Sequence, residues 1–441
     1  MPPTVPALSD AATALSIGLI LLIPLAIAGM ALINTGLGRS RSAAHIMMCS
    51  LGVIAVAALA YFILGCAWQG YADSQGYYFV LAGKQWNWLA TDRFFLRSVP
   101  LNAVDSPASL AMWFGLLSVG LAGIIPLGSG ADRWRLSATC LSTLVLAGWT
   151  FPLFAHWVWG GGWLAQLGEN FGLGEGFVDA GGSSTIHAVG GLTALSIAWI
   201  LGPRRGKYTR EGMPTAIPGH NAVYMMFGCM LALAGWVGLN GAGAILFTGT
   251  DPGNVVLVAV NTLLGAASAG VTAAIVTKIR FGKPDASLSV NGWVGGLVAT
   301  SASCASVKPP EAVVIGAIAG GLVTLSIEWF ELRLGVDDPG GAISAHGLGG
   351  LWGVLAAGIF GNAAGAGGEI HGQFLAQIIG IATLMGLVFP LTYFLNWALD
   401  RLHPYRVEHE GERQGMDLFE LGGGAYPEFV THNDESTHRG F

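Results

Sequence analysis

Charge is what this chain has least of. Only 10% of its 441 residues are Asp, Glu, Lys or Arg, against 53% hydrophobic, whereas soluble globular domains carry about 25% charged residues. That scarcity excludes an ordinary water-soluble enzyme or binding module. Basic runs are also missing, which argues against a nucleic-acid partner. Cysteine is sparse: Cys49, Cys66, Cys140, Cys229 and Cys304 are dispersed, mostly inside apolar segments. They have neither a metal-ligand spacing nor a disulfide framework, so they read as packing residues. The first basic residue is Arg39. Without a basic leader region, the first apolar run is expected to be a retained helix rather than a cleaved signal. No nucleophile–base pair or phosphate loop stands in the water-facing segments, and enzyme function is not expected. The net charge of −6 says little, because the charges sit in loops and tail.

What is present is a series of apolar runs long enough to cross a bilayer, whose hydrocarbon core is about 30 Å thick. They predict an all-α polytopic membrane protein with eleven spans, near 11–34, 44–66, 107–127, 137–157, 180–202, 219–239, 254–277, 286–304, 311–330, 343–361 and 372–399. Gly supplies 67 residues, which suits close helix packing in lipid. With the N-terminus outside and the C-terminus inside, 16 Lys and Arg fall on inside segments and 4 on outside ones. The four are Lys84, Arg93, Arg97 and Lys308. This is a clear positive-inside bias, and an even number of spans would destroy it. Residues 67–106, rich in Trp and Tyr, read as a long outside loop at the membrane interface. The division expected is a transmembrane domain over 1–400 and a cytoplasmic tail over 401–441.

Two segments repeat across the halves. DAGGSSTIHAVGGL runs from Asp179 to Leu192 and DPGGAISAHGLGGL from Asp338 to Leu351; seven of fourteen positions are identical. His187 and His346 each follow their Asp by eight residues, about 12 Å along a helix, which places both near the bilayer midplane. The first segment enters from outside and the second from inside. Spans 1–5 and 6–10 thus form an inverted repeat, with span 11 added. Such repeats put their site at the midplane interface, and an ionisable residue at that depth is a functional candidate. Each Asp can cap its helix and oppose the positive end of the helix dipole. Two adjacent neutral imidazoles can share a hydrogen bond and line a polar track. Satisfied core histidines, a metal pair or haem ligation are the rival readings.

The ordered motifs resemble the ammonium transporter (Amt/Mep/Rh) family over about residues 15–428. They are HWVWGGGW (156–163), DAGGSSTIH (179–187), GWVGLNGAG (235–243), NGWVGGLVA (291–299), DDPGGAISAHG (337–347) and the tail YRVEHEGERQGMDLFELGGGAYPEF (405–429). The resemblance implies a homotrimer in the cell membrane with a hydrophobic ammonium/ammonia pore in each subunit and no cofactor or metal. It makes His187 and His346 the twin histidines and Trp159 the aromatic wall of an outer ammonium site, where a cation–π contact is worth about 0.5–2 kcal/mol. Asp179 supports that site structurally. Phe114 becomes one gating phenylalanine, and Trp236, Asn240, Gly243 and Asn291 stand beside the pore.

The chain departs from the family pattern in several places. Leu239 falls where the second gating phenylalanine is expected, Gly243 where a serine would accept a hydrogen bond from ammonium, and Leu110 and Ala111 where a further Phe and a Gln stand. Weaker recruitment follows, or a site rebuilt by other groups such as the long loop 160–178; Gly243→Ser would be expected to restore the oxygen. In the tail, Arg406, Gly415, Asp417 and Tyr426 match positions that pack beneath the family's trimer, a surface that receives PII-type signal proteins. Leu421 replaces a common histidine. The alternatives to transport are an ammonium sensor that conducts little, and an Rh-like channel for ammonia or carbon dioxide.

Overall fold

The computed structural model describes residues 7–71, 74–361 and 370–427, and helices dominate them. Among the described residues, ten helices are long and apolar enough to cross a membrane. They are α1 (Asp10–Leu37), α2 (Ser40–Gln69), α3 (Pro107–Gly130), α4 (Leu136–Trp159), α5 (Ser183–Leu201), α6 (Ala222–Thr248), α7 (Pro252–Phe281), α9 (Pro309–Leu334), α10 (Ile343–Phe360) and α11 (Gly372–Leu402). Between α7 and α9 lies α8 (Ala286–Ser301), 16 residues long and buried along most of its length. The protein is a multi-pass membrane protein, its apolar composition matched to lipid rather than water.

Local chemistry explains the irregularities. Helix α1 is interrupted at Leu21–Leu22; Pro24, just beyond, has no N–H for the preceding turn. Small residues let α1 and α6 cross closely. A Cβ on Gly29 would lie 2.5 Å from the Gly228 carbonyl oxygen, and one on Gly235 2.0 Å from the Ala26 nitrogen, so larger residues there would part the helices.

The stretch expected as a plain loop is partly ordered as a hairpin. Strands β1 (Gly76–Leu81) and β2 (Lys84–Ala90) pair antiparallel. Ala82 and Gly83 join them, both with positive φ (53° and 73°), the geometry that matches strand twist in a two-residue turn. The hairpin docks on the end of α4: Trp157 Nε1 donates to the Trp88 carbonyl at 2.9 Å, and His156 Nε2 lies 3.1 Å from Asn87 Oδ1. The loop 160–178 is committed here too. Gln166 Oε1 accepts from Asn87 N at 2.7 Å, and Gln373 and Gln377 on α11 bond its backbone at Glu175 and Val178. This end of the molecule is the hairpin face.

At the opposite end, the tail face, the chain after α11 folds back beneath the bundle. Val407 N donates to the Arg133 carbonyl at 2.9 Å and Arg135 N to the Tyr405 carbonyl at 3.1 Å. The tail's side chains then cap three membrane helices. Arg406 donates to Leu201 O at the C-terminal end of α5 (2.7 Å); Asp417 accepts from Ala44 N and His45 N in the first turn of α2 (3.2 and 2.7 Å); Glu420 accepts from Leu136 N at the start of α4 (2.9 Å). Each charge is opposite in sign to the helix end it meets. Gly415 has φ 106°, and a Cβ there would lie 2.6 Å from Arg41 backbone. Tyr426 Oη lies 3.0 Å from His220 Nε2. Residues 428–441 of the tail lie outside the described residues.

Candidate functional site

The two histidine segments meet at the centre of the bundle and run in opposite directions. Helix α5 starts at the hairpin face beside Trp159 and ends at Arg406; α10 starts at the tail face beside the last turn of α3. Their beginnings are built alike. Gly181 N donates to Ser301 O at the end of α8 (2.9 Å), and Gly340 N to Gly128 O at the end of α3 (3.0 Å). Gly182 and Gly341 follow with φ of 91° and 64°, a conformation that favours glycine. Both histidines then lie in wide i→i+5 turns, Ser183–Ala188 and Ile343–Leu348, a geometry that recurs at functional sites.

The helices touch through glycine. A Cβ on Gly191 would fall 2.2 Å from Gly347 N, and one on Gly350 2.9 Å from Ala188 N. Each glycine lies four residues after its own histidine and meets the residue following the other one. This near-symmetric crossing brings His187 Nδ1 and His346 Nδ1 to 3.4 Å, with ring centroids 5.3 Å apart. Both rings are buried. A hydrogen bond between two Nδ1 atoms needs one of them unprotonated, so at least one ring of the pair is neutral. Trp236 stacks on His187 at 4.9 Å and 9°. Among the described residues, neither His187 Nε2 nor Trp236 Nε1 has a hydrogen-bond partner. A buried, unpaired polar atom costs about 1–3 kcal/mol and is explicable where a polar solute passes.

Asp179 and Asp338 are committed to their helices. The Asp179 carboxylate accepts from Gly182 N, Ser184 N and Thr185 N (3.0, 2.9 and 2.9 Å) and from the Ser184 and Thr185 hydroxyls. Asp338 accepts from Ile343 N at 2.8 Å and from Ser129 Oγ on α3 at 2.6 Å. Asp179 reaches the aromatic cluster through its backbone: its carbonyl accepts from Trp159 Nε1 at 2.7 Å. Asn240 and Asn291 pack on the backbones that enter the two turns. A Cβ on Gly181 would lie 2.1 Å from Asn240 Oδ1, and one on Gly341 2.5 Å from Asn291 Nδ2.

Above the histidines, Phe114 meets Trp159 edge-on at 5.6 Å. Leu239 is fully buried. The second phenylalanine ring comes from Phe247, which the sequence reading missed. It stacks on Trp159 at 4.5 Å and 8° and meets Phe114 edge-on at 5.1 Å. Its spacing from Leu239 and Gly243, eight and four residues along α6, places all three near one face of that helix, and that was the available signal. Gly243 is a close approach: a Cβ there would lie 2.2 Å from the Ala180 carbonyl oxygen. A serine at 243 therefore does not fit without moving backbone, which overturns the expectation that Gly243→Ser would simply restore an oxygen.

A sequence model described as Ammonium Transporter Family matches residues 14–426. The chain belongs to the ammonium transporter family. It is 36% identical to ammonium transporter Amt2 of Archaeoglobus fulgidus, over 92% of this chain and 86% of that protein. It is 30% identical to an ammonium transporter of Bacillus subtilis, over 92% and 96%. Among solved structures it resembles a sensor Amt protein, with TM-score 0.83 and 28% identity over 93% of this chain and 98% of that one. Candida albicans Mep2 shares the fold, with TM-score 0.79 and 23% identity over 97% and 92%. Members of this transporter family are not enzymes, and the chain is a multi-pass cell-membrane protein.

Proposed function

We propose that this protein carries ammonium across the membrane along a path lined by His187 and His346, with the hairpin face outside and the tail face inside. The observation that carries the reading is the buried imidazole pair at 3.4 Å, with an unpartnered nitrogen on His187, in a chain of the ammonium transporter family. Desolvation makes a bare cation costly at that depth. A neutral ammonia molecule, both donor and acceptor, can exchange hydrogen bonds with the ring nitrogens, while the proton is handled separately. The matched helix starts and the reciprocal glycine crossing support an inverted repeat of α1–α5 and α6–α10, with α11 added and eleven spans in all. The family supports a homotrimer, and the tail beneath α2, α4 and α5 offers a cytoplasmic surface for a PII-type protein. The tail from residue 401 acts as a regulatory segment distinct from the transmembrane domain.

A second reading, a sensor that binds ammonium and conducts little, is favoured by the similarity to a sensor Amt protein, by Leu239 where a gating phenylalanine was expected and by Gly243 where a hydrogen-bond acceptor was expected. In purified proteoliposomes, wild-type protein should conduct ammonium in preference to potassium, and His187→Ala should lose or alter that preference. Unchanged ammonium-specific flux in His187→Ala would remove the twin-histidine role. Ammonium binding without any wild-type current would establish the sensor.

A further inference from the structure

We propose that Phe247 is a lid on the pore mouth that sets its ammonium affinity, and that its ring occupies the place a cation would take against Trp159. This rests on the transport reading above and adds to it a residue that the family resemblance does not supply. The resemblance makes Trp159 the aromatic wall of the outer ammonium site and Phe114 a gating ring, and it puts Gly243 where a hydrogen-bond acceptor is expected. Phe247 touches the first two rings directly, at 4.5 and 5.1 Å, and stands one helical turn beyond Gly243 on the same face of α6.

Phe247 and Trp159 are parallel to within 8°. Carbon atoms in contact lie about 3.5–4.0 Å apart, so stacked rings with centroids at 4.5 Å leave no space for a cation between them. Phe114, edge-on to both, closes the side. Gly243 makes the arrangement possible: its backbone packs against Ala180 O, next to the Asp179 carbonyl that holds the Trp159 indole. A serine there would push α6, and Phe247 with it, away from the tryptophan. Tyr71 Oη donates to Leu246 O at 3.0 Å and positions the last turn of α6. The ring is half-buried and one residue from the helix end, so a side-chain rotation, rather than a helix movement, uncovers Trp159. Ammonium gains the cation–π contact only after displacing Phe247, which lowers external affinity while keeping the mouth dry.

The test measures ammonium-triggered current against concentration in proteoliposomes for wild type, Phe247→Ala, Phe247→Leu and His346→Ala, with calorimetric methylammonium binding to the same proteins. Phe247→Ala should lower the half-saturating ammonium concentration by about 2- to 30-fold, the range of a recovered cation–π contact. Phe247→Leu, still covering the indole, should stay near wild type and serves if the alanine variant is poorly folded: a Leu variant whose half-saturation falls into the range expected for alanine would overturn the lid. An unchanged or raised half-saturation in Phe247→Ala, with wild-type current intact and lost in His346→Ala, overturns the lid and leaves transport standing. Absence of current in wild type overturns transport, and methylammonium binding then decides the lid: tighter in Phe247→Ala supports it, equal or weaker refutes it.

Discussion

At the hairpin face α5 begins beside three rings, Phe114, Trp159 and Phe247; at the tail face α10 begins beside two buried carboxylates and the guanidiniums that hold them. Asp132 accepts from Arg39 Nε at 3.2 Å and Arg204 Nη1 at 3.0 Å. Asp337 accepts from Arg204 N, Nε and Nη2 at 2.8, 2.9 and 3.0 Å. Arg133 lies 3.8 Å from the same carboxylate and donates to the Asp337 carbonyl at 2.9 Å. Burial alone would raise the pKa of both acids. Arg204 and Arg39 instead hold Asp132 below the usual range, and Arg133 and Arg204 hold Asp337 down at about 2. The repeated motif thus sits in two unlike settings. Both Asp residues that begin it are helix caps. Around the first, three aromatic rings pack on one another. Beside the second, ion pairs tie the start of α10 to the segments that receive the tail. The repeat builds the crossing, and its surroundings are aromatic at one end and ion-paired at the other.

The largest expected effect is at the tail face. Arg204→Ala removes the guanidinium shared by two buried carboxylates, leaving Asp132 with Arg39 and Asp337 with Arg133, and should destabilise the protein by about 3–5 kcal/mol, the cost of breaking a buried pair, read as a lowered melting temperature in detergent. A variant that melts like wild type would show the network to be dispensable. Asp179→Ala comes next. It removes a cap with five donors, so a loss of at least about 2 kcal/mol is expected, the upper end for a single cap. Asp179→Asn, keeping one acceptor oxygen, should recover part of it.

Acid sharpens the contrast between the ends. Carboxylates with depressed folded-state pKa values contribute stability that is complete above the unfolded value near 4 and lost as pH falls through the folded value. Asp337 should contribute about 2 kcal/mol at neutral pH by this linkage, flat from pH 7 to 5 and lost between about pH 5 and 2. In Asp337→Asn the acid slope of the melting temperature should be shallower; an identical slope would contradict the ion-pair account. The smallest effect is expected for Gly243→Ser, about 1–3 kcal/mol of overpacking, with ammonium half-saturation no better than wild type. Tighter ammonium affinity at full stability would show that α6 can yield at Ala180.

Much of this arrangement was legible in the sequence because it is local or periodic. The spacing from Asp to His encoded the helix start, and the glycines four residues after each histidine encoded the crossing. The ten long helices followed from unbroken apolar runs; the 16-residue α8 is shorter than the 286–304 run because Ala302–Ser306 turns away. The hairpin was missed because its turn, Ala82-Gly83, is a weak signal amid aromatics that equally suit a membrane interface. The tail-face network was missed because Asp132, Arg204 and Asp337 come from distant loops, and each arginine read simply as an inside charge. Phe247 was missed for the same reason: nothing near it in the chain says that Trp159 faces it.

The most direct test compares ammonium-triggered current on a supported membrane for wild-type and His346→Ala proteoliposomes. A wild-type current that the substitution abolishes or remodels is the predicted result. An identical current in the two proteins would contradict a path between the histidines.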